Sequence, residues 1–370
     1  MSRQMENITT SEAEPSTEIF IGINCGIIIL TFLINGFTIM IFSVQRSLLE
    51  TVFNRVLLSL AVCDFISGII MSIDIHENLT PSLRNLSNET AIIIRVTSDI
   101  FSAALVKCAV LHLLCIAIDR YIGLFYALRY TDIVTPHLAN VSIISSWLLC
   151  AVLALIPITW LYHLVDGISA DEEIWISRYD AWYSITSIVI FMFIPLTSFL
   201  VLFIKMFLEI KRLLASTPHA SSNSTNHYAE QLRSCRMFAA MLTAFSVLSI
   251  PYYTTRLIND LSNLNYWDIQ LNELTYELSY LMRNLSLLSN LLLYILCNKE
   301  FRRATRRVFR RWKITLMHVW EDARRKMRSF KQSNTSIDLS DHEERLTDNI
   351  TKRVCVELAD TQLLDCIAHL

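Results

Sequence analysis

Residues 91–121 read AIIIRVTSDIFSAALVKCAVLHLLCIAIDRY. From Ala91 to Ile118 the run is aliphatic and unbroken by glycine or proline, and it ends on Asp119-Arg120-Tyr121. At 1.5 Å per residue such a run crosses a hydrocarbon core of about 30 Å. It does not alternate with a period of two, so a helix is expected rather than a barrel strand. The charged residues it carries, Arg95, Asp99 and Lys107, are too costly to face lipid. They mark an interior-facing span whose end presents an acid and a base side by side. Arg120 beside Asp119 can be held by that carboxylate and released when neighbouring helices separate, which makes a two-state electrostatic latch.

Six further apolar blocks flank this one: Ile19–Val44, Val56–Ile75, Leu138–Tyr162, Ala181–Ile204, Met237–Thr255 and Leu274–Leu296. The fold expected is therefore an all-α membrane protein, a bundle of seven transmembrane helices over residues 19–298. The composition agrees: of 370 residues 53% are hydrophobic, 18% are charged and only 6 are glycine. The N-terminus lacks a basic region, an apolar core and a small-residue cleavage site. No removable signal peptide is expected, and the first block would serve as its own targeting signal.

The net charge of -2 conceals an asymmetry. Basic residues follow the odd-numbered blocks: Arg46 and Arg55, Arg120 and Arg129, Lys205 through Arg236, then Lys299 through Lys313. Acidic residues collect on the other side, at Glu6–Glu18 and at Asp166–Glu173. By the positive-inside rule the N-terminal segment, residues 1–18, lies outside and the C-terminus inside. Asn7, Asn85 and Asn88 head N-x-[ST] triplets on the expected outer side. The same triplet also occurs at Asn223, Asn334 and Asn349 on the expected inner side, so it does not establish the topology.

Residues 299–316 are expected to form an amphipathic helix on an anionic inner membrane surface, with Phe301, Val308 and Trp312 among many basic side chains. Residues 317–370 are expected to be a disordered cytoplasmic tail, rich in Ser and Thr beside acids and open to phosphorylation. The nine cysteines fall in apolar blocks, at expected inner helix ends or in the tail. They read as small buried hydrophobes and reduced thiols, with no metal-type cluster. No nucleophile–base pair or phosphate-binding loop supports an enzyme, and nothing points to nucleic acid or to a dedicated cofactor.

These motifs together resemble the rhodopsin-like receptors coupled to G proteins, over nearly the whole chain to about Phe301. One signature stands in each helix: Asn35; Leu60-Ala61 with Asp64; Asp119-Arg120-Tyr121; Trp147; Pro195; Phe245 with Pro251; and Asn290 with Tyr294. The stretch from Asp119 to Tyr130, followed by Ile133-Val134-Thr135, is most similar to the second intracellular loop of melanocortin receptors, relatives of the cannabinoid, lysophospholipid and adenosine receptors. Arg95 stands where most of the family has the cysteine of an outer disulfide, and melanocortin receptors lack that bridge too. Three positions depart from the family: Leu291 replaces a proline, Ser249 a tryptophan and Phe203 a tyrosine.

The resemblance implies a plasma-membrane receptor for an extracellular peptide or lipid. Its partners would be a heterotrimeric G protein and, through the tail, arrestin and a receptor kinase. Activation would run through Asp119, Arg120, Tyr121, Phe245, Pro251, Asn290 and Tyr294. It implies a sodium ion near Asp64 with Asn35 and Asn290, although Ala109 and Leu287 occupy positions where hydroxyls are usual; Asp64 hydrogen-bonded to the two amides alone is the other reading. Ligand contacts are expected from Asp74, Arg95, Asp99, Ser102, Arg256 and Arg283. In melanocortin receptors three acids hold calcium at the positions matching Asp74, Arg95 and Asp99. Arg95 among them argues for weak calcium or none, and a salt-bridge network without a ligand is equally compatible. If Lys107, Arg256 and Arg283 face the cavity they favour an anionic ligand. Ser102 replaces the aspartate of amine receptors, and no lysine in the last span could carry retinal. A non-signalling decoy or scaffold is the alternative that the three departures allow. A transporter is disfavoured by the absence of an internal repeat.

Overall fold

The computed structural model describes residues 15–79, 88–161, 170–216, 222–264 and 271–333. Every regular element among them is helical. The long helices are α1 (Pro15–Val44), α2 (Val52–Leu79), α3 (Asn88–Phe125), α4 (Pro136–Leu161), α5 (170–216), α6 (Ser222–Asn263), α7 (Glu273–Cys297) and α8 (Lys299–Ser333). By length and apolarity six helices qualify as spans. The number rises to seven when Leu274–Leu296 is counted together with the helix that follows it. This is the seven-helix architecture expected from the blocks.

The chain divides into two compact units, Met1–Ile39 with Glu50–Asn298, and Met40–Leu49 with Lys299–Leu370. Within the first, α3 is the most buried span and packs against α2, α4, α5 and α6. Its inner face (Leu105, Val110, Leu113 and Ile116) is almost wholly inaccessible. The outer faces of α1, α4 and α5 do the opposite. Leu33, Leu148, Leu155 and Leu200 are each about 60% exposed in a bundle whose outer solvent is lipid. Membrane burial, not interior packing, is what keeps those side chains from water.

Three prolines shape the spans. Pro157 and Pro251 lie inside α4 and α6 and remove a backbone donor from each ladder. In α5 the turn Val189–Phe193 widens into a π-helix just before Pro195, where the missing N–H is absorbed locally. By contrast α7 runs without a break from Glu273 to Cys297, because Leu291, fully buried, supplies the N–H that a proline would lack. Asn272 caps this helix, its side chain accepting from the Thr275 N–H at 3.0 Å.

The expected boundaries shift in one direction: helices outlast the apolar blocks. Helix α5 starts at Ala170 rather than at Ala181, and α6 reaches Asn263 rather than Thr255. Helix α8, expected over 299–316, continues to Ser333, so residues 317–333 are helical rather than tail. No glycine or proline interrupts Lys299–Ser333, and Arg325 pairs with Glu321 at 4.0 Å and Asp322 at 3.6 Å along one face. In the second unit Phe301, Ala304 and Val308 are buried, with the Phe301 ring 5.6 Å from that of Phe42. The basic residues of α8, Arg302 and Arg303 for instance, are exposed. Asn7, Asn85 and the tail from 334 onward lie outside the described residues, as does the side chain of Asn88.

Candidate functional site

Asp119 and Arg120 end the transmembrane part of α3. The carboxylate, 5% exposed, accepts from Arg120 Nε at 2.8 Å and from its Nη2 as well. Its other oxygen accepts from the Tyr130 hydroxyl at 2.6 Å. Tyr130 starts a single helical turn, Tyr130–Ile133, that packs with Ile122 against Val52, Val134 and Ala139. Arg120 also lies over the Phe53 ring, its Cζ 4.5 Å from the centroid. One carboxylate thus holds an arginine and a tyrosine, and an aromatic face of α2 covers the arginine. Burial and the Asp119 charge push the Tyr130 phenol well above its ordinary value near 10. A raised value means the bond is intact below the ordinary phenol range and is lost only as pH rises beyond it. Ionisation of the phenol therefore does not break this bond across the physiological range.

Tyr121 does not join this cluster; it stacks on Phe125, ring centroids 4.4 Å apart. Tyr294 does come close. Fully buried on α7, it donates to Asn54 Oδ1 at 3.0 Å and lies 6.0 Å from Phe53. Phe53 therefore touches both the arginine of α3 and the tyrosine of α7. Nothing in its sequence context singled it out. Tyr130→Phe removes one hydrogen bond to a carboxylate, expected to cost about 1.5–3 kcal/mol. That corresponds to a melting temperature lower by about 3–12 °C. Thermal unfolding of the purified chain measures it, and an unchanged midpoint would remove Tyr130 from the latch.

Deeper in the bundle, Asp64, Asn35 and Asn290 are each completely buried. Asn290 is the hydrogen-bonding neighbour of Asp64. Even so, neither carboxylate oxygen has a partner within hydrogen-bonding geometry, nor does either side-chain atom of Asn290 or the Asn35 oxygen. Asn35 spends its N–H on the Thr31 carbonyl at 2.8 Å. Orphaned buried oxygens on three side chains suit a small hard cation, which prefers oxygen donors. Ala109 and Leu287, both buried, contribute none.

A cavity of about 290 Å³ opens between α3, α4, α5, α6 and α7. Asp99, Ser102, Lys107, Arg256 and Arg283 line it, with tyrosines 183, 252 and 253. Ser102 and Arg120 are separated by about 27 Å of helix at 1.5 Å per residue, so cavity and latch stand far apart on α3. The expected contacts divide. Ser102 and Arg283 meet directly, the guanidinium donating to the serine hydroxyl across the bundle. Arg256 bonds instead to Asp180 at 3.4 Å and to Asp260 at 3.2 Å, so its charge is neutralised. The side chains of Asp74 and Arg95 lie outside the described residues, and Asp99 is exposed at the cavity wall.

Asp180, Asp260 and the tyrosines were not singled out in the sequence. Both acids sit just beyond the apolar blocks, at 180 against a block start of 181 and at 260 against a block end of 255, where charge reads as loop. Lys107, only 8% exposed, donates to the Tyr183 hydroxyl at 3.1 Å and lies over that ring at 4.8 Å. Arg283, 7% exposed, has its Cζ 4.7 Å from the Tyr252 ring centroid, while its Nε has no partner among the described residues. Desolvating an ion costs several kcal/mol. A cation–π contact returns about 0.5–2 kcal/mol. Neither cation has a carboxylate within 4.0 Å among the described residues, so the carboxylates that act on them, Asp180 on Lys107 and Asp99 on Arg283, do so only from longer range.

Helices arranged this way, with an Asp–Arg latch at one end of α3 and a polar cavity toward the other, define a seven-helix receptor. The chain belongs to the rhodopsin family of seven-transmembrane receptors, whose family model matches residues 34–320. Among curated relatives it is similar to the 5-hydroxytryptamine receptor 1F of Homo sapiens, 28% identical over 191 residues, or 51% of this chain and 49% of that receptor. The Mus musculus receptor of the same name is 28% identical over 185 residues, 49% of this chain and 48% of that receptor. The match thus spans about half the length of these relatives. None of the receptors named is a melanocortin receptor, so the subgroup read from the loop after α3 is not supported by them.

Proposed function

We propose that this chain is a plasma-membrane receptor, N-terminus outside and C-terminus inside, that turns binding of an extracellular ligand into activation of a heterotrimeric G protein. The observation that carries this reading is the held Arg120. A charged side chain paired with its neighbouring carboxylate and lying over an aromatic ring can be transferred to a partner when helices separate. Ligand in the cavity would favour a state in which α6 moves away from α3 and Arg120 is released. The exposed basic face of α8 would lie on the anionic inner leaflet. The tail beyond it would recruit a receptor kinase and arrestin once phosphorylated.

The ligand is a peptide or a lipid rather than a monoamine. The relatives named above are 5-hydroxytryptamine receptors, but Ser102 occupies the position at which amine receptors carry their aspartate, and here it is engaged by a cation. The test is guanine-nucleotide exchange by the purified receptor in nanodiscs, with each class of heterotrimer in turn. Acceleration over empty nanodiscs by at least one class supports the proposal. Exchange indistinguishable from empty discs with every class, with and without cell-derived ligand extracts, would leave the decoy reading in its place.

A further inference from the structure

We infer that the ligand of the cavity presents an anionic head, a carboxylate or a phosphate, to Lys107 and Arg283, with an aromatic or otherwise apolar body among the tyrosines. The inference rests on the receptor reading above and makes it specific. Its ground is the contrast between the three cations of the cavity. Arg256 is already answered by Asp180 and Asp260. Lys107 and Arg283 contact hydroxyls and rings, Tyr183 for the lysine and Ser102 and Tyr252 for the arginine, and the attraction of Asp180 on Lys107 and of Asp99 on Arg283 acts from beyond ion-pair distance. Both are more than nine-tenths buried, and Arg283 retains an N–H without a partner.

The two cations stand on different helices and line the same cavity. Lys107 and Ser102 lie five residues apart on α3, and Arg283 reaches Ser102 from α7. An anion placed among these three groups would gain charge-assisted hydrogen bonds from both cations and accept from the serine hydroxyl. A positive ligand would instead add a third uncompensated charge to the same space. Asp99 does not reverse this balance, because it is exposed on the cavity wall one turn before Ser102 on α3, whereas the two cations are buried. At about 290 Å³ the cavity accommodates a small molecule or the head of a larger one. Its tyrosines supply flat apolar walls with polar tips.

A matched series separates head charge from body: 3-phenylpropionate, 2-phenylethyl phosphate, 2-phenylethanol and 2-phenylethylamine. Binding to the full-length receptor in nanodiscs is measured by saturation-transfer NMR, with melting temperature as a second readout. At least one of the two anions is expected to bind at least about tenfold more tightly than the alcohol and the amine, and which of them does distinguishes a carboxylate ligand from a phosphate one. Lys107→Gln with Arg283→Gln is expected to erase that preference, and Arg283→Lys to retain part of it, which guards against mere misfolding of the double variant. Equal or tighter binding of the amine, an unchanged preference in the double variant, or no binding by any of the four overturns the inference. None of these measurements involves a G protein, so their failure is distinct from failure of nucleotide exchange.

Discussion

Replacing Arg120 with alanine is expected to lower receptor-driven nucleotide exchange about 100-fold, because a transferred guanidinium making two charge-assisted hydrogen bonds contributes about 3 kcal/mol. Surface expression should be retained. In this arrangement Arg120 is about one-fifth exposed, paired with its neighbour Asp119 and lying over the Phe53 face. It ties no distant helices together by an ion pair among the described residues. Its salt bridge is to the adjacent residue of the same helix, so losing it should cost the fold less than it costs the coupling step. Lysine at the same position keeps the charge but loses the planar fork, so Arg120→Lys should fall between wild type and alanine. The measurement is exchange in nanodiscs beside surface labelling of intact cells. Full exchange by the alanine variant would mean that release of this arginine is not how the bundle signals.

Much of that argument was readable from residues 91–121. The length of the apolar run, its interior charges and the Asp–Arg pair at its end placed α3 at the centre of a bundle before any coordinate was known. What could not be read was direction. Lys107, Arg256 and Arg283 are equivalent as letters, yet one is paired with two carboxylates and the other two are not. That difference depends on Asp180 and Asp260, which lie at helix ends where charge interrupts hydropathy although backbone hydrogen bonding continues. Tyr130 lies within a family-like stretch, but its bond to Asp119 requires the chain to turn back after Phe125. A tyrosine eleven residues downstream gives no periodic signal for that. Phe53 was invisible for a related reason. An aromatic in an apolar helix is ordinarily packing, and only its position between Arg120 and Tyr294 gives it more to do.

Asp64 makes the second large prediction. We expect Asp64→Asn to raise the melting temperature in sodium-free buffer by about 5 °C or more, since a buried charge without compensation costs several kcal/mol and each kcal/mol is worth about 2–4 °C. Both oxygens of Asp64 lack partners, and the nearby amides of Asn35 and Asn290 turn no donor to them within hydrogen-bonding geometry. In the wild type a sodium ion would be held by Asp64 with the amide oxygens of Asn35 and Asn290, supplying the positive charge that the protein does not. Sodium at about five times its Kd would then stabilise the wild type by about 1 kcal/mol, or about 2–4 °C. The Asn variant would be flat in the same titration. Choline at matched ionic strength controls for screening. A wild-type midpoint identical in sodium and choline would remove the ion from this site, and a variant that melts lower than wild type in choline would show that the carboxylate is compensated after all. The missing hydroxyls at Ala109 and Leu287 set the strength of the effect. With fewer oxygen donors an ion there would be held weakly, so the midpoint should still be climbing at physiological sodium rather than saturated below it.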